Sequence, residues 1–274
     1  MPIEASDHRA FFEHYATAME DGTAAVFVGA GLSREAGFVD WKELLADIAD
    51  DLNLEIDRES DLVSLAQYHV NHRNSRAAID RKLIAEFMRD AEPTEAHRLL
   101  ARLPIATVWT TNYDGLLERA YRDAGVRPDV RSGPNDIARA PLPKRGVVIY
   151  KMHGDRDHPD EAVLLKEDYE VYESERGEYT RVLRSDFLQR TFLFLGFSFT
   201  DPNIDQVLAR LRDRRRPPGD HYWVVREVPE ASADATPTQR AEAEYERRKQ
   251  NLKIRDLERY GIRAIRVREY SDVN

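Results

Sequence analysis

Three short polar tips follow three apolar runs. Ala24-Ala25-Val26-Phe27-Val28 stops at Gly29-Ala30-Gly31-Leu32-Ser33. Val108-Trp109-Thr110-Thr111 stops at Asn112-Tyr113-Asp114, and Val147-Val148-Ile149-Tyr150-Lys151-Met152 stops at His153-Gly154. A β-branched and aromatic run ending in Gly-x-Gly reads as a buried strand feeding a tight turn. Glycine lets backbone approach a ligand closely, and free N–H groups in such a turn favour anionic oxygens, so phosphate or pyrophosphate is the expected ligand. A histidine at a strand end can take a proton from a sugar hydroxyl or from water. Asn112 can both donate and accept, which suits a ribose hydroxyl or an attacking water. Asp114 can take a carboxamide and also cap the helix that begins after it.

Other nucleotide chemistries fit less well. A hydride-transfer fingerprint needs a third glycine where this chain has Arg34, and an acidic residue ending the next strand. No Gly-Lys-Ser/Thr follows the loop, which excludes a P-loop NTPase. The sequence Asp155, Asp157, His158, Asp160 is interrupted by Pro159 and reads as a solvated acidic loop, so no metal is expected.

The tips must sit on a common scaffold. Strands and helices alternate, which predicts an α/β fold: a Rossmann-like, doubly wound, mainly parallel sheet. Asp40-Trp41-Lys42-Glu43 reads as a capping box opening a helix with Leu44, Leu45, Ile48 and Leu52 on one side. Residues 61–103 keep a helical pattern with a single proline, Pro93, so 45–103 is read as a helical insert within a single domain spanning 1–274. Residues 127–146 hold four prolines and two glycines and read as a loop-rich connection. Further strands are expected over 191–198, 222–225 and 262–267, with helices starting at Asp201-Pro202 and near Gln239. The run Arg212, Arg214, Arg215, Arg216 reads as a solvated helix end.

The order of motifs resembles the sirtuins. Gly29-Ala30-Gly31-Leu32-Ser33 followed by Gly37-Phe38-Val39-Asp40-Trp41 is similar to their Gly-Ala-Gly-x-Ser and Gly-Ile-Pro-Asp-Phe-Arg. Thr110-Thr111-Asn112-Tyr113-Asp114 resembles their Thr-Gln-Asn-Ile-Asp, and Met152-His153-Gly154 their catalytic His-Gly. Gly196-Phe197-Ser198 resembles the turn that holds a cofactor ribose, and Pro93-x-x-x-His97-x-x-Leu100 also has a counterpart. The departures are equally specific. Sirtuin deacylases carry a four-cysteine zinc module, and this chain has no cysteine. Val39, Trp41 and Lys42 replace the Pro, Phe and Arg of the second half-motif. The stretch Leu193 to Ile204 resembles the divergent sirtuin-like branch of bacterial anti-phage defence.

That branch implies hydrolysis of NAD, as substrate and without a metal, to nicotinamide and ADP-ribose. The resemblance implies His153 as base and Asn112 as its catalytic partner. It implies Gly29, Ala30, Gly31, Ser33, Asp40, Trp41, Asp114, Gly196 and Ser198 around the dinucleotide. Local readings stay open beside these: Asp40 as a helix cap, Trp41 as a core residue, and the serines as turn residues. Because such an activity would harm its own cell, the resemblance also implies restraint by assembly into a homo-oligomer, or by a partner such as a HerA-type ATPase or a short Argonaute. A non-catalytic NAD or ADP-ribose binding subunit and a protein deacylase are the alternatives.

Composition sets the surroundings. The 274 residues carry a formal net charge of −9 with 33% charged side chains, which disfavours bulk electrostatic binding of nucleic acid. No signal pattern and no 18-residue apolar run is present, so a cytoplasmic protein is expected.

Overall fold

A computed structural model describes residues 5–39, 41–138, 146–211, 220–232 and 234–268. Asp40 and the arginine run 212–216 lie outside these residues. The order of elements is α1 (Ala5–Glu20), β1 (Ala24–Val28), α2 (Trp41–Leu44), α3 (Ala46–Asp51), α4 (Leu62–Arg73), α5 (Ala77–Phe87) and α6 (Glu95–Arg102). It continues with β2 (Thr107–Thr110), α7 (Leu116–Asp123), β3 (Arg127–Arg131), β4 (Gly146–Lys151), α8 (Lys166–Gln189) and β5 (Thr191–Leu195). Last come α9 (Pro202–Leu211), β6 (His221–Arg226), α10 (Pro237–Glu258) and β7 (Ile262–Val267).

Among the described residues the seven strands form one sheet in the order β3-β4-β2-β1-β5-β6-β7. Every pairing is parallel. The sheet is doubly wound, as expected, and β1 is its middle strand. The chain first builds outward from β1 through β2, then returns to the other side of β1 with β5. The crevice between β1 and β5 is therefore the place where the winding reverses, and in such sheets ligands bind outside the strand carboxyl ends at that point.

Residue alternation explains why both faces are covered. All five residues of β1 are buried. Ala25 and Phe27 pack with Phe192 and Phe194 of β5, Trp223 of β6 and the apolar faces of α8, α9 and α10. Ala24, Val26 and Val28 point the other way, against Phe11 and Tyr15 of α1, Leu100 of α6 and Leu117 of α7. A third cluster holds Leu44, Leu45, Ile48, Leu65, Ile79, Leu83 and Phe87 of α2 to α5 against Tyr113 and Leu116. Each buried aliphatic or aromatic side chain contributes about 1.5–3 kcal/mol.

The structure corrects two local expectations. The connection at 127–146 contains a strand, β3, paired along its length with β4. Pro128 is tolerated because β3 is the edge of the sheet, where a missing N–H breaks no ladder on its open side. The helix expected from Trp41 onward is broken at Leu45, which separates α2 from α3, yet Leu44, Leu45 and Ile48 are buried as its apolar side requires.

Candidate active site

The glycine loop is locked to the turn after β5. The N–H of Gly29 donates to the Leu195 carbonyl, and that of Gly31 to the Gly196 carbonyl, both at 2.9 Å. A Cβ on Gly29 would lie 2.5 Å from the Gly196 oxygen, and one on Gly31 would lie 2.8 Å from it. Gly196 has φ +60°, and a Cβ there would meet the Leu32 nitrogen at 2.3 Å. The first reason for these glycines is thus contact between two backbones. The N–H groups of Leu32 and Ser33 also donate within the loop, to the carbonyls of Gly29 and Ala30. Only the tip of the loop, with exposed Ala30, is turned outward.

A buried polar knot joins this loop to the end of β2. Asn112 donates from Nδ2 to the Gly29 carbonyl at 3.1 Å and to Ser33 Oγ at 3.2 Å. Ser33 Oγ donates to Asp114 Oδ2 at 2.8 Å. Asp114 Oδ1 accepts the Leu116 N–H, the first amide of α7, at 3.0 Å, although the residue at the cap position is Gly115. Among the described residues nothing donates to Asn112 Oδ1, and Asn112 lines the cavity described below.

Lys151, the last residue of β4, holds the same turn from behind. Its buried Nζ donates to the carbonyls of Tyr113 at 3.1 Å and Asp114 at 2.7 Å, and to Glu118 Oε1 at 2.9 Å. Burial pulls this ammonium down, but Glu118, Asp155 and Asp114 outweigh it and hold the group above its ordinary value, so it stays charged. Thr110 and Lys151 are paired across β2 and β4. Asn112 and His153 therefore each stand two residues beyond a paired position on adjacent parallel strands.

His153 is buried, with its ring edge-on to Tyr169 at 5.5 Å and to Tyr172 at 6.3 Å. Its Nε2 lies 3.2 Å from Asp201 Oδ2 and 3.4 Å from Asn203 Nδ2. Burial lowers its pKa from the ordinary histidine value, more than the Asp201 carboxylate raises it. The imidazole is neutral at pH 7, as a general base must be. Gly154, with φ +86°, turns the chain away beneath it; a Cβ there would lie 3.2 Å from the Ala162 Cα.

Most of these groups share one cavity of about 1490 Å³; Gly29, expected at the dinucleotide, and Lys151 do not line it. Ala30, Gly31, Ser33, Trp41, Asn112, Asp114, His153, Gly196 and Ser198 all line it. This exceeds the roughly 300–1000 Å³ typical of small-ligand pockets and leaves room for a dinucleotide. Trp41 is half-buried against the helical cluster. Ser198 is exposed, its hydroxyl 2.8 Å from that of Thr200, and its carbonyl accepts from Lys253 Nζ. Among the described residues no group of three His, Cys, Asp or Glu could hold a metal ion. Asp155 Oδ1 instead accepts the Asp157 N–H at 2.7 Å in a local turn.

Asp201, Asn203 and Tyr169 were not singled out from sequence as site residues. Asp201-Pro202 reads as a helix start, which it is: Asp201 Oδ1 accepts the N–H groups of Asn203 at 2.9 Å and Ile204 at 3.2 Å. Asp201 and Asn203 meet His153 because β5 returns beside β1, while Tyr169 reaches it from α8.

A model of the SIR2-like domain matches residues 106–264, more than half of the chain. The chain belongs to the SIR2-like domain family. Asn112, His153 and Asp201 fall inside the matched part of this SIR2-like chain, and the glycine loop precedes it. NAD(+) hydrolase ThsA of Bacillus cereus (strain MSX-D12) is 42% identical over 269 residues, 96% of this chain and 55% of that protein. NAD(+) hydrolase ThsA of Cytobacillus dafuensis is 40% identical over 272 residues, 98% of this chain and 55% of that protein. The SIR2-like chain thus spans about half the length of these relatives. A solved structure bearing on sirtuin substrate affinity superimposes with a TM-score of 0.42 at 15% identity, over 81% of this chain and 89% of its own.

Proposed function

We propose that this SIR2-like chain hydrolyses NAD, as the name of its relatives says of them, and that the bond broken is the one between nicotinamide and ribose. The observation that carries the reading is His153: a buried, neutral imidazole opening on the same cavity as Asn112 and the glycine loop. The nicotinamide ring nitrogen is cationic while attached. When its bond to the ribose C1 carbon breaks, the electron pair stays on that nitrogen and neutralises it. Positive charge develops on the sugar, and water attacks C1. His153 takes the proton that the water loses and later releases it to solvent. Asn112 Oδ1 accepts from the water or a ribose hydroxyl and so fixes its direction. The main contributions are position and electrostatic stabilisation. In this reading the Trp41 face shields the reacting sugar, Asp114 takes the nicotinamide carboxamide, the glycine loop and Ser33 hold the pyrophosphate, and Ser198 helps to hold a ribose. Asp40 belongs to the same proposal.

The chain is read as one domain over 1–274, with 45–103 as an insert that walls the cavity. Restraint by homo-oligomer formation or by a protein partner, action in anti-phage defence and a cytoplasmic site of action complete the proposal. No helix of the described residues is long and apolar enough to cross a membrane.

The test is nicotinamide release from NAD by the purified chain, alone and with the product of its neighbouring gene. The expected result is release by the wild type and a loss of roughly 10²–10⁴-fold in His153→Ala, the usual worth of a general base. An active wild type matched in rate by His153→Ala would overturn His153 as base, and a wild type that binds NAD but releases no nicotinamide under either condition would favour the binding-subunit reading.

A further inference from the structure

Asp201 sets a negative charge in the wall of the cavity with no cation beside it. Its Oδ1 accepts the N–H groups of Asn203 and Ile204, which pin the carboxylate to the start of α9. Its Oδ2 accepts from the Tyr169 hydroxyl at 3.4 Å and lies 3.2 Å from His153 Nε2. Asp201, Tyr169 and His153 all line the cavity, and only 11% of the Asp201 side chain is exposed. Among the described residues no lysine or arginine pairs with it, and the imidazole it touches is neutral. Asp114, the other aspartate lining the cavity, differs: the Lys151 ammonium donates to its carbonyl at 2.7 Å and is attracted by its carboxylate. Burial, and after it the Asp201 charge, hold Tyr113, Tyr169 and Asp205 above their ordinary values, so the field of that charge reaches across the site. Taking a charge out of water without a partner is costly, and a cation arriving beside it recovers part of the cost.

We infer that Asp201 is a further catalytic residue, whose carboxylate faces the positive charge at the nicotinamide–ribose end of NAD and stabilises it as it passes to the sugar. Its effect on rate rests on the proposed NAD hydrolysis; its effect on binding does not. The carboxylate and the proposed base are neighbours, so the sugar carbon attacked by the water beside His153 also lies in the field of Asp201. Asn112, Tyr169 and Trp41, which line the same cavity, are neutral. In bound NAD the charge is on the ring nitrogen, and in the transition state it is on the sugar. A carboxylate already fixed on the sugar side gains as the charge approaches and needs no reorganisation. It therefore lowers the barrier rather than only tightening binding.

Two variants separate charge from folding. Asp201→Asn removes the charge and keeps the shape and an oxygen for the α9 amides. Asp201→Ser does the same with a shorter side chain, and both residues cap a helix as well as Asp does. The binding readout compares NAD with NADH, whose nicotinamide rings differ by one positive charge. It is taken by calorimetry in chains that also carry His153→Ala, so that NAD is not consumed and the imidazole plays no part. With Asp201 present, NAD is expected to bind more tightly than NADH. With Asn or Ser in its place, that preference is expected to shrink roughly 10–100-fold, the effect of one unit charge about 6 Å from another at the effective dielectric of a protein site. The difference in ring shape is common to both chains and cancels in the comparison. The rate readout is nicotinamide release by chains with His153 intact. Asp201→Asn is expected to lose roughly 10²–10³-fold in kcat with a smaller change in KM, as on removal of one fixed stabilising group. A preference for NAD over NADH that is the same with and without the Asp201 charge overturns the inference, whatever the protein does to NAD. A shrunken preference with an unchanged kcat would overturn Asp201 as a catalytic residue and leave it a binding group. A shrunken preference in a protein whose wild type releases no nicotinamide overturns the proposed reaction alone.

Discussion

At the scale of single residues, His153 and Asn112 differ in what their removal costs. His153 has one strong polar contact, at the edge of the cavity. Asn112 donates to two groups, the Gly29 carbonyl and Ser33 Oγ, which keep one partner each, the Leu32 N–H and Asp114, when it is gone. Each hydrogen bond lost costs about 0.5–1.5 kcal/mol. Asn112→Ala is therefore expected to melt several degrees below wild type, and His153→Ala close to it, in calorimetry at pH 7. Equal melting points would mean that the knot at Ser33 is held by something other than Asn112. The two losses of rate should not add, since both residues act on one transition state, and a double variant should be little slower than the worse single one. His153 and Asn112 were legible from sequence because each ends an apolar run. Asp201 was not, because its place at the start of α9 alone accounts for it in the chain, and its contact with His153 joins residues far apart in sequence. Nor did Gly-Ala-Gly reveal that the amides of both its glycines are taken by carbonyls at the end of β5 and in the turn after it.

At the scale of elements, the joint between the β1 and β5 turns carries the site. Gly196→Ala puts a methyl group 2.3 Å from a backbone nitrogen and keeps φ at +60°. Gly125 also has positive φ, +75°, but nothing lies within 4 Å of a Cβ there. Gly125→Ala should cost about 1–2 kcal/mol, the price of the left-handed backbone. Gly196→Ala should yield no stable folded protein, as read by circular dichroism and recovery on gel filtration. A normal yield from Gly196→Ala would show that the joint can open. A second element-scale consequence is pH-dependent. His97 in α6 and His221 in β6 are both pushed down to about 4 by burial. The unfolded chain binds protons at these residues from about pH 6.5 downward, and the folded chain does so only near pH 4. Stability is thus unaffected above pH 6.5 and falls between 6.5 and 4. His221 Nδ1 accepts the Phe192 N–H at 3.2 Å. His221→Asn keeps an acceptor without a titrating ring and should flatten part of that fall in melting temperature. An equally steep fall would assign the loss to other groups. The strands around this joint were legible because they are short and apolar, though β5 ends at Leu195 rather than at the expected Ser198, because Gly196 turns the chain there. The edge strand β3 was missed because Arg127, Pro128, Asp129 and Arg131 look like a turn until β4 is there to pair with them.

At the scale of the whole molecule, affinity and chemistry are drawn from different parts of one cavity. Most of its lining is untouched by a change at His153, so NAD should stabilise His153→Ala as much as wild type. At 100 times the dissociation constant a ligand adds about 2.7 kcal/mol, a rise of roughly 5–10 °C for a chain of this size. A shift in wild type with none in His153→Ala would make the histidine a binding group. The winding of the sheet was legible because strands and helices alternate. The order of strands was not, since no local pattern says that β5 returns to the far side of β1. That return also has a bearing on synthesis. A ribosome that has just passed His153 has made the glycine loop and Asn112 as well, but β1 still has a bare edge and Asp201 is not yet beside the imidazole. On the function proposed above, a nascent chain therefore carries an incomplete site until β5 and α9 have emerged and closed on β1.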